Sequence, residues 1–158
     1  MSQPHGVGGR PGRRLLLLLS GPNLDLLGTR EPAVYGTDTL DAHVARAAQE
    51  AAALGLELEH LQSNHEGALV DAVHAAMGRA AAIVVNPGAL THYAWSLHDA
   101  LAAFPGPVVE LHLSNPAGRE AWRHRSVVAP VATGTIAGFG GAGYELAVRA
   151  AAGLLADG

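Results

Sequence analysis

Five apolar runs alternate with amphipathic stretches along most of the chain, and this alternation is the feature that most constrains the fold. The runs have the length of strands, and the gaps between them have helical periodicity. Strands are predicted near 15–20, 56–62, 81–86, 107–113 and 134–139, and helices over 40–54, 66–78, 91–103 and 141–155. The sequence therefore predicts an α/β fold in which a doubly wound, five-stranded parallel sheet carries helices on both faces.

The stretch 40–54 shows the helical pattern most fully. Its apolar side chains are expected on one buried face, and they are Leu40, Val44, Ala47, Ala48, Ala51 and Leu54. Thr39 is a candidate N-cap, and Gly55 stands just past the predicted end.

Length and composition bound the domain organisation. A chain of 158 residues with 49% hydrophobic content is expected to bury one sizeable core, which we assign to a single domain over 14–158. Residues 1–13 are rich in Gly, Pro and Arg and are predicted to be a disordered tail. The formal net charge of −4 and the lack of a basic stripe do not favour nucleic acid as a partner.

Three absences from the sequence limit its chemistry and its surroundings. No window approaches the roughly 20 apolar residues of a membrane span, and the lack of cysteine excludes disulfides and fits a reducing compartment such as the cytoplasm. All ten basic residues are arginines. Without lysine, an imine with a ketone substrate requires the N-terminal amine, so an elimination next to a carbonyl is expected to proceed through an enolate.

Polar residues stand where three of the predicted strands end. Asn23 follows the first strand, Asn86 the third, and His112 and Ser114 the fourth. Ligands of open α/β sheets bind at the carboxyl ends of the strands. We therefore predict a binding site at this edge, although each of these residue types is also common in turns.

Glu110 and His112 are predicted to lie on the same side of the fourth strand, because strand side chains alternate with a period of two. The carboxylate of Glu110 would favour the charged form of His112, which could then act as an acid. A merely packed or solvent-facing histidine is the alternative.

A Gly-bounded loop after the first strand carries Arg30 and Tyr35 and is predicted to be a catalytic lid. Tyrosine has an ordinary pKa of about 10 and is a poor base near neutral pH unless a cation favours its phenolate. Arg30 is the candidate cation. From spacing alone, a loop anchor whose ring packs on Pro32 remains an open alternative for Tyr35.

Three rival sites are not favoured by the pattern. Gly138–Gly143 has the spacing of a dinucleotide fingerprint, but only fifteen residues follow it, so close packing between the last strand and helix is the better interpretation. The nine histidines lack the spacing of common metal sites. The turn Gly21-Pro22-Asn23 lacks the successive N–H groups of a phosphate cradle, since proline contributes none.

Four separated motifs in one order resemble the signature of the type II 3-dehydroquinate dehydratases. The resemblance covers roughly residues 15 to 155, and the motifs are Ser20–Gly36, Gln62–Gly67, Asn86–His92 and Glu110–Asn115. It implies a flavodoxin-like enzyme that dehydrates 3-dehydroquinate to 3-dehydroshikimate without a metal, cofactor or covalent intermediate. It also implies a homododecamer built from trimers.

The resemblance implies a catalytic role for five residues. Tyr35 would be the base that removes the C2 proton, with Arg30 favouring its phenolate, and Asn23 with an ordered water would stabilise the enolate. His112 would protonate the departing C1 hydroxyl, and Glu110 would support its charged form.

Substrate binding is implied for the remaining members of the motifs. Asn86 would help to orient His112, Asp99 would reach a neighbouring subunit's site, and Arg119 would close over the substrate. The groups that would hold the substrate's hydroxyls and carboxylate are those of His92, Leu113, Ser114 and Arg123.

Departures from the family pattern fall at supporting positions, which are Ser20, Asp25, Tyr93–Trp95, His98 and Pro116–Gly118. They leave every proposed acid and base in place. The alternative to an enzyme is a non-catalytic domain that binds a shikimate-like acid without turning it over.

Overall fold

The computed structural model describes residues 13–29, 31–35 and 37–158. Five strands form one parallel sheet of order β2-β1-β3-β4-β5. The strands are β1 (Arg14–Ser20), β2 (Leu56–Gln62), β3 (Ala80–Asn86), β4 (Val108–His112) and β5 (Gly134–Ala137). The helices are α1 (Pro32–Tyr35), α2 (Leu40–Ala53), α3 (Glu66–Ala76), α4 (Trp95–Ala103) and α5 (Ala142–Ala156). The predicted α/β fold with a parallel sheet is confirmed.

The sheet separates two apolar cores, and β1 contributes to both. Leu16 and Leu18 face the core under α2 and α5, whereas Leu17 and Leu19 face the core under α3 and α4. Each of these side chains is at most 2% exposed. A strand buried on both faces needs apolar residues at every position, which explains the uninterrupted run of leucines.

Helix α2 begins as the sequence predicts, but its buried face differs from the predicted one at two positions. The Thr39 hydroxyl oxygen accepts the N–H of Ala42 at 3.2 Å, and Gly55 has φ +77° just past the end. Leu54 was predicted to be buried, which is wrong, because it is the C-terminal cap and is 44% exposed. His43 is buried on this helix although it was not among the predicted residues, and its ring stacks on Tyr144.

Two predicted boundaries are also wrong. The α-helix expected from residue 91 begins at Trp95, and Gly88–His92 is a 3-10 helix. Thr91 does not continue a helix because its carbonyl accepts the N–H of Val127 at 2.6 Å and its hydroxyl bonds Glu110. Strand β5 ends at Ala137 rather than near 139, because Gly138 has φ +95°, outside the strand region.

Two glycines bring the carboxyl ends of β1 and β3 together. The N–H of Gly21 donates to the Asn86 carbonyl at 2.8 Å, and a Cβ at Gly21 would lie 2.3 Å from the Pro87 oxygen. Gly88 has φ +59°, and a Cβ there would lie 3.1 Å from the oxygen of Pro22. Only glycine permits this approach, which places the turn after β1 beside the turn after β3.

None of the helices in the described ranges has the length and apolar character that a membrane crossing requires. The predicted disordered tail falls outside the described residues, apart from Arg13.

Candidate functional site

A cavity of about 190 Å³ opens at the carboxyl edge of the sheet, where the sequence predicts a site. It is smaller than the pockets of roughly 300 to 1,000 Å³ that hold drug-sized ligands, so it suits a small molecule. Among the described residues, its wall contains no carboxylate and two arginines. The lining residues used below are Asn23, Asn86, His92, His112, Leu113, Ser114, Arg119, Trp122 and Arg123.

His112 and Glu110 form a close pair at the end of β4, as the alternation of strand side chains predicts. Nε2 of His112 lies 2.5 Å from Oε2 of Glu110. The histidine side chain is 11% exposed and lines the cavity, whereas Glu110 is fully buried behind it. The imidazole therefore presents its other edge to the cavity, with a carboxylate that can stabilise its charged form.

Glu110 is held by two hydroxyl groups as well as by the histidine. The hydroxyl of Thr91 donates to Oε2 at 2.6 Å, and that of Ser126 lies 2.9 Å from the same oxygen and 3.0 Å from Oε1. Burial alone would raise the pKa of Glu110, but these hydrogen bonds and the charge of His112 outweigh it, so the pKa lies below its ordinary value. The carboxylate is therefore ionised at neutral pH.

This depressed pKa leads to a prediction about acid stability. Ionised Glu110 stabilises the fold above its ordinary pKa, and that contribution is lost as the pH falls through the lower pKa of the folded state. We expect the free energy of unfolding, measured by urea titration, to fall more steeply between about pH 5 and pH 2 in the wild type than in Glu110→Gln. Glu57→Gln, at an exposed position of β2, is the matched control and should keep the wild-type slope. Parallel curves for wild type and Glu110→Gln would contradict the assignment.

Arg119 and Arg123 bring positive charge to the wall of the cavity. Nη1 of Arg119 donates to the hydroxyl of Ser114 at 3.2 Å. Nε of Arg123 donates to Glu120 at 2.5 Å, and its guanidinium lies 4.0 Å above the ring of Trp122. The Arg123 side chain is only 16% exposed, so its orientation is set by these contacts before any ligand binds. Such a wall suits an anionic group, and a planar guanidinium suits a carboxylate best.

His92 and Asn23 complete the polar lining. Nδ1 of His92 lies 2.6 Å from the carbonyl oxygen of Arg125, so this nitrogen is the donor and Nε2 is the nitrogen left for other partners. The His92 ring meets the Trp122 ring edge to face at 5.3 Å. Asn23 has φ +68°, a left-handed conformation that asparagine tolerates, and its N–H donates to Oδ1 of Asn64 at 3.0 Å.

The amide of Asn86 is 2% exposed, and its orientation is fixed from two sides. Its oxygen accepts the N–H of Gly88 at 3.3 Å, and its nitrogen donates to the hydroxyl of Tyr144 at 3.4 Å. These contacts lie on the α5 side of the sheet, whereas His112 bonds to Glu110 on the other side. The predicted role of Asn86 in orienting His112 therefore stays a prediction.

Besides Glu110, which lies behind the wall, three predicted site residues are not placed at the cavity. Arg30 lies outside the described residues, and so does the side chain of Tyr35, whose backbone ends α1. Asp99 lies on α4 with its side chain 85% exposed, and it is not part of the cavity wall. Its exposure is compatible with the predicted contact to a neighbouring subunit. That contact between subunits stays a prediction.

Three residues that support the candidate site were not predicted from the sequence. Thr91 and Ser126 were not predicted as partners of Glu110, and Trp122 was not predicted as the platform of Arg123 and His92. Thr91 stands inside the third motif and could have been suspected there. Ser126 and Trp122 lie in loop sequence with no periodic signal.

Among the described residues, the structure adds no support for a metal site or for a dinucleotide-binding site. In the ranges described, no three His, Asp or Glu side chains come close enough to hold a metal ion. Two glycines of the fingerprint-like segment are closely packed, since a Cβ at Gly141 would lie 2.2 Å from Cε1 of His43, and one at Gly143 would lie 2.8 Å from Leu111.

Comparison with known proteins places this chain in one family. The family described as dehydroquinase class II matches residues 14–152. The 3-dehydroquinate dehydratase of Bacillus licheniformis is 56% identical over 133 residues, which are 84% of this chain and 92% of that protein.

Two solved structures agree. The type II dehydroquinase from Propionibacterium acnes superposes with a TM-score of 0.85 at 44% identity, over 89% of this chain and 97% of that one. The type II dehydroquinase from Butyrivibrio crossotus also reaches 0.85, at 39% identity, over 87% and 97%.

Proposed function

The chain belongs to the class II dehydroquinase family, and from this premise we propose that it removes water from 3-dehydroquinate by an anti elimination through an enolate, giving 3-dehydroshikimate. It is a hydro-lyase. The observation that carries the mechanism is that His112 lies on the wall of a cavity that also carries two arginines, and that it is paired with the buried, ionised Glu110 behind that wall. A histidinium so supported is an acid placed beside a site for a carboxylate.

The first step is proton abstraction. The Tyr35 phenolate, favoured by Arg30, takes the proton from C2, and the electrons of that C–H bond move into the carbonyl to form an enolate. Asn23 lines the cavity and is the group assigned to stabilise the enolate oxygen through an ordered water. The lack of lysine supports this route over an imine.

The second step is loss of the hydroxyl. The enolate electrons return to form the C1–C2 double bond as the C1–O bond breaks, and His112 gives its proton to the departing oxygen. Glu110 stabilises the imidazolium until that transfer, and the buried hydroxyls of Thr91 and Ser126 hold the carboxylate in place. Water leaves, the proton taken by Tyr35 returns to solvent, and His112 takes up a proton from solvent, which restores both groups.

The arginine wall binds the substrate carboxylate, with Arg123 as the principal contact and Arg119 closing over the substrate. His92, Ser114 and the backbone of Leu113 hold its hydroxyls. Asn86 completes this wall. These roles fit the lining of the cavity and leave no buried carboxylate in the described wall to repel the substrate.

Removal of this anion contact is expected to weaken binding. Arg123→Ala should raise KM by about ten- to a hundredfold and change kcat less, because a charge-assisted hydrogen bond contributes about 1.5 to 3 kcal/mol to ground state and transition state alike. Steady-state kinetics with 3-dehydroquinate measures both constants. Arg149→Ala, an exposed arginine paired with Glu50 on α2, is the control and should change neither. A selective loss of kcat in Arg123→Ala would instead give Arg123 a role in the transition state.

The assembly is proposed to be a dodecamer built from trimers, in which Asp99 reaches a neighbouring subunit's site. Exposed aromatic side chains support an interface on this chain, among them Tyr93 at 61%, Trp95 at 55% and Phe139 at 64%. Sedimentation of the purified protein tests the proposal, and a monomer would contradict it. The metabolic setting is proposed to be the shikimate pathway of aromatic amino-acid biosynthesis or the breakdown of quinate.

The direct test of the reaction is an absorbance assay with 3-dehydroquinate that follows the conjugated enone of the product. The enzyme is incubated with substrate and borohydride, which reduces any imine and inactivates an enzyme that forms one. We expect turnover that borohydride does not abolish. Borohydride inactivation would contradict the enolate route, and a folded protein without turnover would favour the non-catalytic domain that binds a shikimate-like acid.

A further inference from the structure

The segment Arg125–Val128 contacts both the binding side and the acid side of the candidate site. The carbonyl of Arg125 accepts a hydrogen bond from Nδ1 of His92, which is assigned to substrate binding, at 2.6 Å. The hydroxyl of the next residue, Ser126, lies 2.9 and 3.0 Å from the two carboxylate oxygens of Glu110. Two adjacent residues of one segment therefore hold a group that binds substrate and the carboxylate that supports the acid.

Two further hydrogen bonds hold this segment against the neighbouring elements. The N–H of Val127 donates to the carbonyl of Thr91 at 2.6 Å, and the carbonyl of Val127 accepts from Nδ1 of His98 on α4 at 2.6 Å. Val127 and Val128 are at most 2% exposed. The backbone of the segment is thus packed beside the 3-10 helix that carries both Thr91 and His92.

The hydroxyl of Ser126 uses its full bonding capacity within the protein. A serine hydroxyl has one hydrogen to donate and two lone pairs that accept. Oγ of Ser126 accepts the N–H of Val128 at 3.1 Å and that of Ala129 at 2.9 Å, and its one hydrogen is directed to Glu110. Loss of this hydroxyl would therefore release the carboxylate and would also open the backbone turn that follows Arg125.

Thr91 is bonded to the same carboxylate, but its hydroxyl holds no backbone turn. It donates to Oε2 of Glu110 at 2.6 Å and lies 2.7 Å from Oγ of Ser126. Within the described ranges, no backbone N–H donates to it. The bond from Val127 goes to the carbonyl of Thr91, which a change of side chain leaves in place. Loss of the Thr91 hydroxyl would therefore release the carboxylate alone.

We propose that Ser126 is a positioning residue that fixes the Glu110 carboxylate and the His92 ring together, so that one side chain aligns the acid with the bound substrate. The carbonyl of Arg125 keeps the ring proton of His92 on Nδ1, so its position decides which ring nitrogen is left for the substrate. The effects on kcat and KM rest on the proposed function, whereas the hold on the His92 ring does not.

The hold on His92 can be measured without substrate, from the ring signals of protein labelled with ¹⁵N-histidine. Spectra are recorded at about pH 9, well above the ordinary histidine pKa of about 6.5, and the His92 signals are identified by their loss in His92→Gln. The wild type should carry the proton on Nδ1. In Ser126→Ala the two ring signals should move toward each other, because both tautomers form once the turn is open, whereas Thr91→Val should keep the wild-type signals. Identical His92 signals in wild type and Ser126→Ala would overturn the proposal.

Steady-state kinetics with 3-dehydroquinate separates the two hydroxyls. Thr91→Val keeps the shape of the side chain and should lower kcat about tenfold without changing KM, the effect of one lost hydrogen bond to a charged group. Ser126→Ala should lower kcat about as much and also raise KM about fivefold, because His92 is no longer held. Ser126→Thr keeps the hydroxyl and should restore both constants to within about twofold of the wild type. An unchanged KM in Ser126→Ala would overturn the link to His92.

A double substitution tests whether the rise in KM passes through His92. In a His92→Gln background, Ser126→Ala should raise KM no further, because the two changes remove the same interaction. A further rise of the same size would contradict the proposal. Thr133→Val is the control for the loss of a bonded hydroxyl, since Oγ1 of Thr133 accepts the N–H of Val108 at 3.2 Å outside the cavity wall, and it should change neither constant.

Two remaining outcomes are also decided by these measurements. If Ser126→Ala does not fold, Ser126→Cys keeps a similar volume with only a weak donor and acceptor, and the same changes in KM and in the His92 signals are expected. A wild-type protein that does not turn over 3-dehydroquinate would refute the proposed function, and the ¹⁵N spectra would still decide whether Ser126 holds His92.

Discussion

Replacing Tyr35 with phenylalanine is expected to lower kcat by about a hundred- to ten-thousandfold, the range that a positioned base contributes, while the protein stays folded. The reason is that Tyr35 is the proposed base for the C2 proton, and phenylalanine keeps the ring but removes the oxygen that accepts the proton. Steady-state kinetics with 3-dehydroquinate and thermal unfolding measure the two properties. Tyr93→Phe is the matched control, because Tyr93 is 61% exposed, lies outside the cavity wall, and keeps in Tyr93→Phe the aromatic ring that is proposed for the interface.

A second measurement ties the loss to proton abstraction. Exchange of the C2 proton of 3-dehydroquinate with solvent deuterium, followed by NMR, should be catalysed by the wild type and not by Tyr35→Phe. If Tyr35→Phe retains wild-type turnover, Tyr35 is not the base, and its alternative role as a loop anchor is the better one.

Replacing His112 with glutamine is expected to lower kcat by about a hundredfold or more, because the hydroxyl then leaves without a proton donor. Glutamine can still donate a hydrogen bond to Glu110, and that carboxylate keeps its bonds to Thr91 and Ser126, so the fold should survive. His74→Gln is the control for the loss of a histidine.

The two substitutions are separable because they act on different steps. His112→Gln leaves the base in place, so C2 exchange should continue and become faster than turnover. The deuterium isotope effect at C2 on kcat should shrink toward one, because loss of the hydroxyl then limits the rate. Loss of exchange together with turnover in His112→Gln would contradict its assignment as the acid of the second step.

Much of the sheet follows from local patterns in the sequence. Residues 56–62 match β2, and the Thr39 cap and the glycine after α2 are local signals that read correctly. The errors fall where long-range contacts decide. Leu54 obeys the helical period yet lies at the end of α2, and Thr91 leaves the expected helix because its partners are Val127 and Glu110.

In the candidate site too, some contacts follow from local sequence patterns and others depend on long-range contacts. The adjacency of Glu110 and His112 follows from the two-residue period of a strand, so sequence alone predicts it. The hydroxyl of Ser126 reaches the same carboxylate from sixteen residues away, and no local pattern marks it. Trp122 is equally unmarked, although it orders both Arg123 and His92.

The sequence by itself determined the order of strands and helices, the edge of the sheet at which the candidate site lies, the motifs that identify the family, and the exclusion of lysine chemistry. These are properties of spacing and residue type. Only the tertiary structure decided which buried groups satisfy one another. The hydroxyls of Thr91 and Ser126 meet at the carboxylate of Glu110 from two separate segments, because a buried polar group must find its partner wherever the fold places one.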